Sequence, residues 1–212
     1  MTFDEADGMP LAIQTPANSA FQANGIVATP RLPQLMAADQ LVYFMIRDAF
    51  PGRSMYFSRT AGGYPYELGL ERYVITQGMA KKLLDHVAVP GKDTVMVQGE
   101  GLVDINRSKA LWNEVFTATK SLTARDGWVD DASVGIPDLY VISGVTLAEA
   151  LASAGRMTES DSIFQQARGI AKAMRRESVF GFDRQQPPIN PGGDTAAKQL
   201  LAPPTAPPAV KK

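Results

Sequence analysis

The sequence predicts an α+β fold, mainly helical: a small α/β unit with short strands, then a helical hairpin, then a proline-rich tail. Three observations predict it. Leu41, Val42, Met45, Ile46 and Ala49 recur at helical spacing. Met55-Tyr56-Phe57-Ser58 and Thr94-Val95-Met96-Val97 are short β-rich runs bounded by turn residues. Residues 137–154 and 158–174 are long periodic segments separated by little more than Gly155-Arg156-Met157.

In chain order, residues 1–35 hold Pro10, Pro16, Pro30 and Pro33 without clean periodicity. They read as an extended lead-in, free to pack on the body, with a short strand or turn around residues 20–28. A helix begins near Asp39, whose carboxylate can accept from the orphan amide hydrogens of the first turn. Arg47 and Asp48 lie off its apolar face, and Pro51-Gly52 ends it. Residues 55–58 form a buried strand, and Thr60-Ala61-Gly62-Gly63-Tyr64-Pro65-Tyr66 a flexible loop. Leu70, Tyr73 and Val74 predict a second, shorter helix, which Gly78 weakens by about 1 kcal/mol relative to alanine. Residues 79–89 fit either more helix or a strand, and strand is the favoured reading. Residues 94–97 make a clearer strand, with Gly91 before and Gly99 and Gly101 after. Together residues 36–102 form the α/β unit.

Residues 103–178 read as the helical unit. Leu111, Val115 and Thr119 define a stripe with Trp112 and Phe116 beside it, and residues 126–131 form a polar loop around Trp128. Pro137 in the first turn of the next helix and Gly155 at its end follow the usual asymmetry of helix termini. Residues 179–212 hold seven of the chain's 15 prolines and read as a disordered or polyproline tail.

Composition excludes several functions. A net charge of −1 with scattered basic residues offers no footprint for nucleic acid. The absence of cysteine removes disulfides, thiolate ligands and cysteine nucleophiles. His86 stands as the only histidine, so zinc is not expected, and no cofactor is implied. The acidic N-terminus lacks the apolar stretch of a signal peptide. The longest apolar run, residues 139–148, falls short of the roughly 20 residues of a membrane span, so a soluble chain is expected.

Candidate contacts with a ligand or partner are Arg53, Arg59, Tyr64, Tyr66 and Trp128. Tyrosine rings stack on sugars and arginine grips anions, but the same residues serve as packing beside a strand, and Arg53 can pair with Glu67 or Glu71. Gly62-Gly63 lacks the lysine of a phosphate-binding loop. Asp126, Asp130 and Asp131 around Trp128 allow a carbohydrate-active site, though capping and solvation account for them more simply. Asn106-Arg107-Ser108 fits a short glycosylation pattern.

Leu147, Ala148, Leu151, Gly155, Ser160, Phe164 and Ala167 keep the spacing of one tetratricopeptide repeat. Small residues at Ala148, Ser160 and Ala167 let two antiparallel helices approach, while Leu151 and Phe164 fill between them.

Three ordered stretches carry a wider resemblance. They are Asp39-Gln40-Leu41-Val42 through Phe50-Pro51-Gly52-Arg53-Ser54-Met55-Tyr56-Phe57, then Tyr66 to Tyr73 with Gln77-Gly78-Met79-Ala80 and Leu83, then Val103-Asp104 with Arg107-Ser108 and Trp112. Over residues 36–175 the chain resembles the soluble C-terminal region of a bacterial membrane-protein family regarded as protein O-mannosyltransferase-like, of the GT-C type. The resemblance implies a non-catalytic accessory or scaffolding domain on the extracytoplasmic face of the inner membrane. Its expected partner is the membrane part of the parent protein or another polypeptide. In such enzymes the catalytic acid and the lipid-linked donor belong to the membrane part, so no catalytic residue carries over. The alternative is a freestanding tetratricopeptide-type interaction module.

Overall fold

Phe57, Lys81, Thr76, Val103 and Val95 are register partners in a single row across a five-stranded sheet. The computed structural model describes residues 7–16, 19–128 and 130–183. The fold is α+β. Strands β1 (Ala12–Gln14) and β4 (Gln34–Met36) pair, as do β2 (Phe21–Ala23) and β3 (Ile26–Ala28). Helix α1 (Ala37–Ala49) follows, then β5 (Tyr56–Ser58), a 3-10 turn at Arg59–Ala61 and the short helix α2 (Tyr64–Glu67). The main sheet adds β6 (Val74–Gln77), β7 (Ala80–Leu83), β8 (Thr94–Val97) and β9 (Gly101–Asp104) in the order β5-β7-β6-β9-β8. Helix α3 (Ile105–Ala110), a π-helical turn at Leu111–Val115, α4 (Ala118–Thr123), α5 (Gly135–Ser153) and α6 (Met157–Ala173) complete the described chain.

Successive side chains of a strand alternate between faces, so register partners share a face. On that shared face Phe57, Val74 and Leu83 join one apolar cluster with Ile26, Ala28, Tyr43, Ile46 and Phe50. Val95, Val97 and Val103 join a second cluster with Ile105, Trp112 and the α5–α6 pair. Between the two, in the middle of the row, stand Lys81 and Thr76. The sheet therefore carries two oily patches separated by a polar seam.

The described part of residues 1–35 packs on the body, and the strand expected near residues 20–28 is the β2–β3 hairpin, with Ile26 and Ala28 fully buried. The hairpin turns on Asn24-Gly25, both at positive φ, the pairing that two-residue hairpins favour. The Asn24 amide also donates to the carbonyls of Ile46 and Arg47 at 2.7 and 2.9 Å, satisfying orphan acceptors at the end of α1. Several other expectations change. In α1, Tyr43 and Ile46 are buried while Met45 is half exposed, because Asp39 and Gln40 take part in the inner face. Asp39 sits inside the first turn and accepts from the Met36 amide at 2.8 Å. Strand β5 is an edge, with only Phe57 buried. The expected 60–66 loop is mostly a 3-10 turn and α2.

The helix expected from Leu70 is a 3-10 turn at Glu71–Tyr73 followed by β6. Three consecutive β-branched residues, Val74, Ile75 and Thr76, favour strand there, and Gly78 at φ +60° makes the two-residue turn into β7. A side chain at Gly78 would also strike the Phe116 ring. Val103 belongs to β9, so helix begins only at Ile105. The stripe is centred on buried Trp112, whereas Val115 is 58% exposed, because the π-helical turn shifts the phase of the face.

Helices α5 and α6 fall where expected. Gly155, at φ +74°, ends α5 with paired bonds from Arg156 N to Leu151 O and from Gly155 N to Ala152 O. Helix α5 is 19 residues long with a mean hydropathy of 1.2, long and apolar enough by length and composition to cross a membrane. Half of it is buried here, against α6 on one side and α3 and β8 on another. Residues 179–183, expected in the tail, form turns in which Phe182 is buried and stacks edge-on against Phe164. The rest of the expected tail lies outside the described residues.

Candidate functional site

Arg59 is the one member of the expected contact set that reaches the polar seam. Its guanidinium, 8% exposed, pairs with Glu100 of the β8–β9 turn. It also donates to Thr146 Oγ1 of α5 at 2.8 Å and to the Gly78 carbonyl at 3.2 Å. Lys81 enters from β7: its Nζ donates to the Glu100 carbonyl at 2.6 Å and to Thr76 Oγ1 at 3.3 Å, with Glu100 Oε2 at 3.6 Å. Burial lowers the pKa of both cations, and the Glu100 charge opposes that shift. Glu149, one turn beyond Thr146, has its pKa raised by burial and then by the Glu100 charge.

Three polar residues of the stretches that carry the sequence resemblance bond close by, Gln77 and Asp104 on the opposite face of the sheet. Gln77 Nε2 donates to Asp104 Oδ2 at 3.0 Å, and Ser108 Oγ accepts from Gly78 N at 3.0 Å. Ser108 is 3% exposed and committed to that bond, whereas Asn106, the acceptor of the glycosylation pattern, is exposed. These contacts lace β6, β7, the β8–β9 turn, α3 and α5 together. A network of this kind fixes geometry: Arg59, Lys81, Thr76, Glu100 and Thr146 each have a partner, and removing one of the charges leaves its partner uncompensated.

The other expected contacts do not converge on it. Tyr64 donates to Asp39 Oδ1 at 2.7 Å, tying α2 to α1; burial and that bond raise its pKa. Tyr66 is exposed and lies under the Arg31 guanidinium at 3.9 Å. Arg53 is exposed, and Glu71 is held instead by Arg31 at 2.6 Å. Trp128 is half-buried; its Nε1 donates to Ser133 Oγ at 2.8 Å. Asp130 accepts from the Ser133 hydroxyl and amide, which lower its pKa, and Asp126 pairs with Arg175 at 2.8 Å. Asp130 is thus engaged in turn formation and Asp126 in a surface ion pair. His86 lies on the surface beside Asp85. Among the described residues no cluster of three potential metal ligands occurs.

The helix-pair residues do come together. Ser160 Oγ donates to the Ala148 carbonyl at 2.7 Å, and Leu147, Ala148, Leu151 and Ala167 are buried. Phe164 packs half-buried against the same cluster and meets Phe182 edge-on, while its neighbour Ile163 is the more deeply buried of the two. Gly144, not singled out in the sequence, marks a close approach, since a Cβ there would lie 2.6 Å from the Trp112 ring and 2.8 Å from the Ala167 Cβ.

Sequence reading missed Lys81, Glu100 and Thr146. One signal was present: Leu83 is an inward residue of its strand, so Lys81, two places earlier, must also point inward. The chain matches no protein-family model, no curated protein and no solved structure.

Proposed function

We propose that the chain is a non-catalytic accessory or scaffolding domain of a membrane-bound, protein O-mannosyltransferase-like glycosyltransferase, acting on the extracytoplasmic face beside the membrane part. The observation that carries this reading is the seam. Within the stretches that resemble the family, Gln77 bonds Asp104, and Gly78 bonds Ser108 through its amide and Arg59 through its carbonyl. Side chains spent on holding five elements in register serve shape rather than turnover. The family resemblance over residues 36–175 supplies the identity of the parent.

The test uses the purified chain and the membrane part encoded with it. Incubated alone with a polyprenyl-phosphate-linked sugar and an acceptor polypeptide, the chain transfers nothing. Mixed with the membrane part in detergent, it co-purifies and restores transfer. Sugar transfer by the chain alone in detergent-free buffer overturns the reading, as does failure to associate with any membrane part encoded beside it.

A freestanding tetratricopeptide-type module is the second reading, favoured by the Ser160–Ala148 bond and the Gly144–Ala167 approach. Against it, the side of α5 turned away from α6 is occupied by β8 and α3. A stacked helical repeat would bury that surface against the next repeat; here the sheet takes that place.

A further inference from the structure

We propose that the apolar pocket between β1, β2 and α1 is a binding site for an uncharged aromatic molecule of one to two rings. The pocket has a volume of about 240 Å³ and is walled by Ile13, Phe21, Pro30, Leu35, Tyr43 and Phe44. Among the described residues no Asp, Glu, Lys, Arg or His lines it, so a charged ligand would lose its hydration with no counter-charge in return. Its polar groups are mostly committed: Gln40 donates to the Pro10 and Leu35 carbonyls, and Tyr43 Oη donates to Leu68 O at 2.6 Å. The Thr15 hydroxyl, on the same wall, has no hydrogen-bond partner among the described residues. The site therefore matches a mostly hydrocarbon ligand with at most one hydroxyl or carbonyl.

Size and shape select rings. An apolar protein cavity of roughly 150 Å³ takes up benzene, so this one accommodates a fused pair of rings. Phe21 and Tyr43 stand 4.6 Å apart at a 33° tilt, which gives a planar guest an aromatic wall. At the rim, Ile13 is 40% exposed and Leu11 83% exposed, so the apolar surface continues outward from the mouth.

The experiment titrates the full chain by calorimetry and amide NMR with 2-naphthol, naphthalene and 2-naphthoate. 2-Naphthol binds saturably at one site, shifting the amides of Phe21, Leu35 and Phe44, and 2-naphthoate binds at least tenfold more weakly. Ala20→Trp, a change at an exposed position of the lip, fills the mouth and abolishes binding with little change in Tm. Thr15→Val erases the preference of the hydroxylated ligand over naphthalene. No saturable binding of either neutral probe overturns the proposal; so does equal binding of the carboxylate, or full binding by a folded Ala20→Trp variant.

Discussion

Arg59, in the turn after β5, is ion-paired with Glu100, 41 residues later, and the same guanidinium reaches Thr146 on α5. This one side chain ties the edge of the sheet that packs on α1 to the helix that covers the other half.

Replacing Arg59 by Met strips one partner from a buried pair and also leaves the Gly78 carbonyl without this donor. The cost is about 3 kcal/mol, the low end for such a loss, because Glu100 retains some contact with solvent. Urea unfolding measures it. A loss below about 0.5 kcal/mol would class the pair with ordinary surface bridges.

Gly144→Ala places a methyl against the Trp112 ring and the Ala167 methyl. Alanine's helix propensity favours the variant by about 1 kcal/mol, yet overpacking costs typically about 1–3 kcal/mol, so the net change is destabilising. Gly135→Ala, at the start of the same helix with open space around it, is the control and should be neutral or stabilising. Equal stability changes in the two variants would contradict the close approach.

Arg175 ends α6 at φ +58°, with Arg176 N bonded to Ala171 O and Arg175 N to Lys172 O. This is the turn Gly155 makes for α5, built with a residue that has a Cβ. Arg175→Gly relieves the left-handed strain and loses only the exposed pair with Asp126, and should raise Tm by a few degrees or leave it unchanged. A marked fall in Tm would show that the side chain matters more than its backbone conformation.

Glu159 accepts from Arg156 at 2.7 Å and from Lys109, which lower its pKa to about 2. A depressed carboxylate pKa stabilises the fold above the ordinary glutamate value, and that contribution is lost as pH falls toward about 2. Carboxyl NMR titration should give a midpoint near the depressed value, moving upward in Lys109→Gln. A midpoint in the ordinary range near 4.3 would remove the two-cation clamp.

Helices α5 and α6 were legible because their periodicity runs for more than four turns and a glycine marks the join. The strands were harder. Val74-Ile75-Thr76-Gln77 is too short for its period to override the helical spacing of Leu70, Tyr73 and Val74, and Gly101 conceals the start of β9. The π-helical turn at Leu111–Val115 moved Trp112 inward by inserting an extra residue, which no regular period anticipates. Arg59 was singled out with Tyr64 and Tyr66 because they share a loop, but local sequence does not say which way a side chain turns: Arg59 goes inward, Tyr64 toward α1 and Tyr66 to the surface. The apolar pocket draws on residues from Ile13 to Phe44, beyond the span of any single pattern.

The sheet joins two antiparallel groups, β5-β7-β6 and β9-β8, through one short parallel pairing at Thr76 and Val103. As the chain leaves the ribosome, the first group can close on its own neighbours before β9 and α5 exist. During that interval β6 is an open border, and inward-pointing Lys81 stands on the neighbouring strand without Glu100. The border strand is only four residues long, and the inward charge stands one strand in from it; short edges and inward-pointing charges both disfavour the addition of a foreign strand.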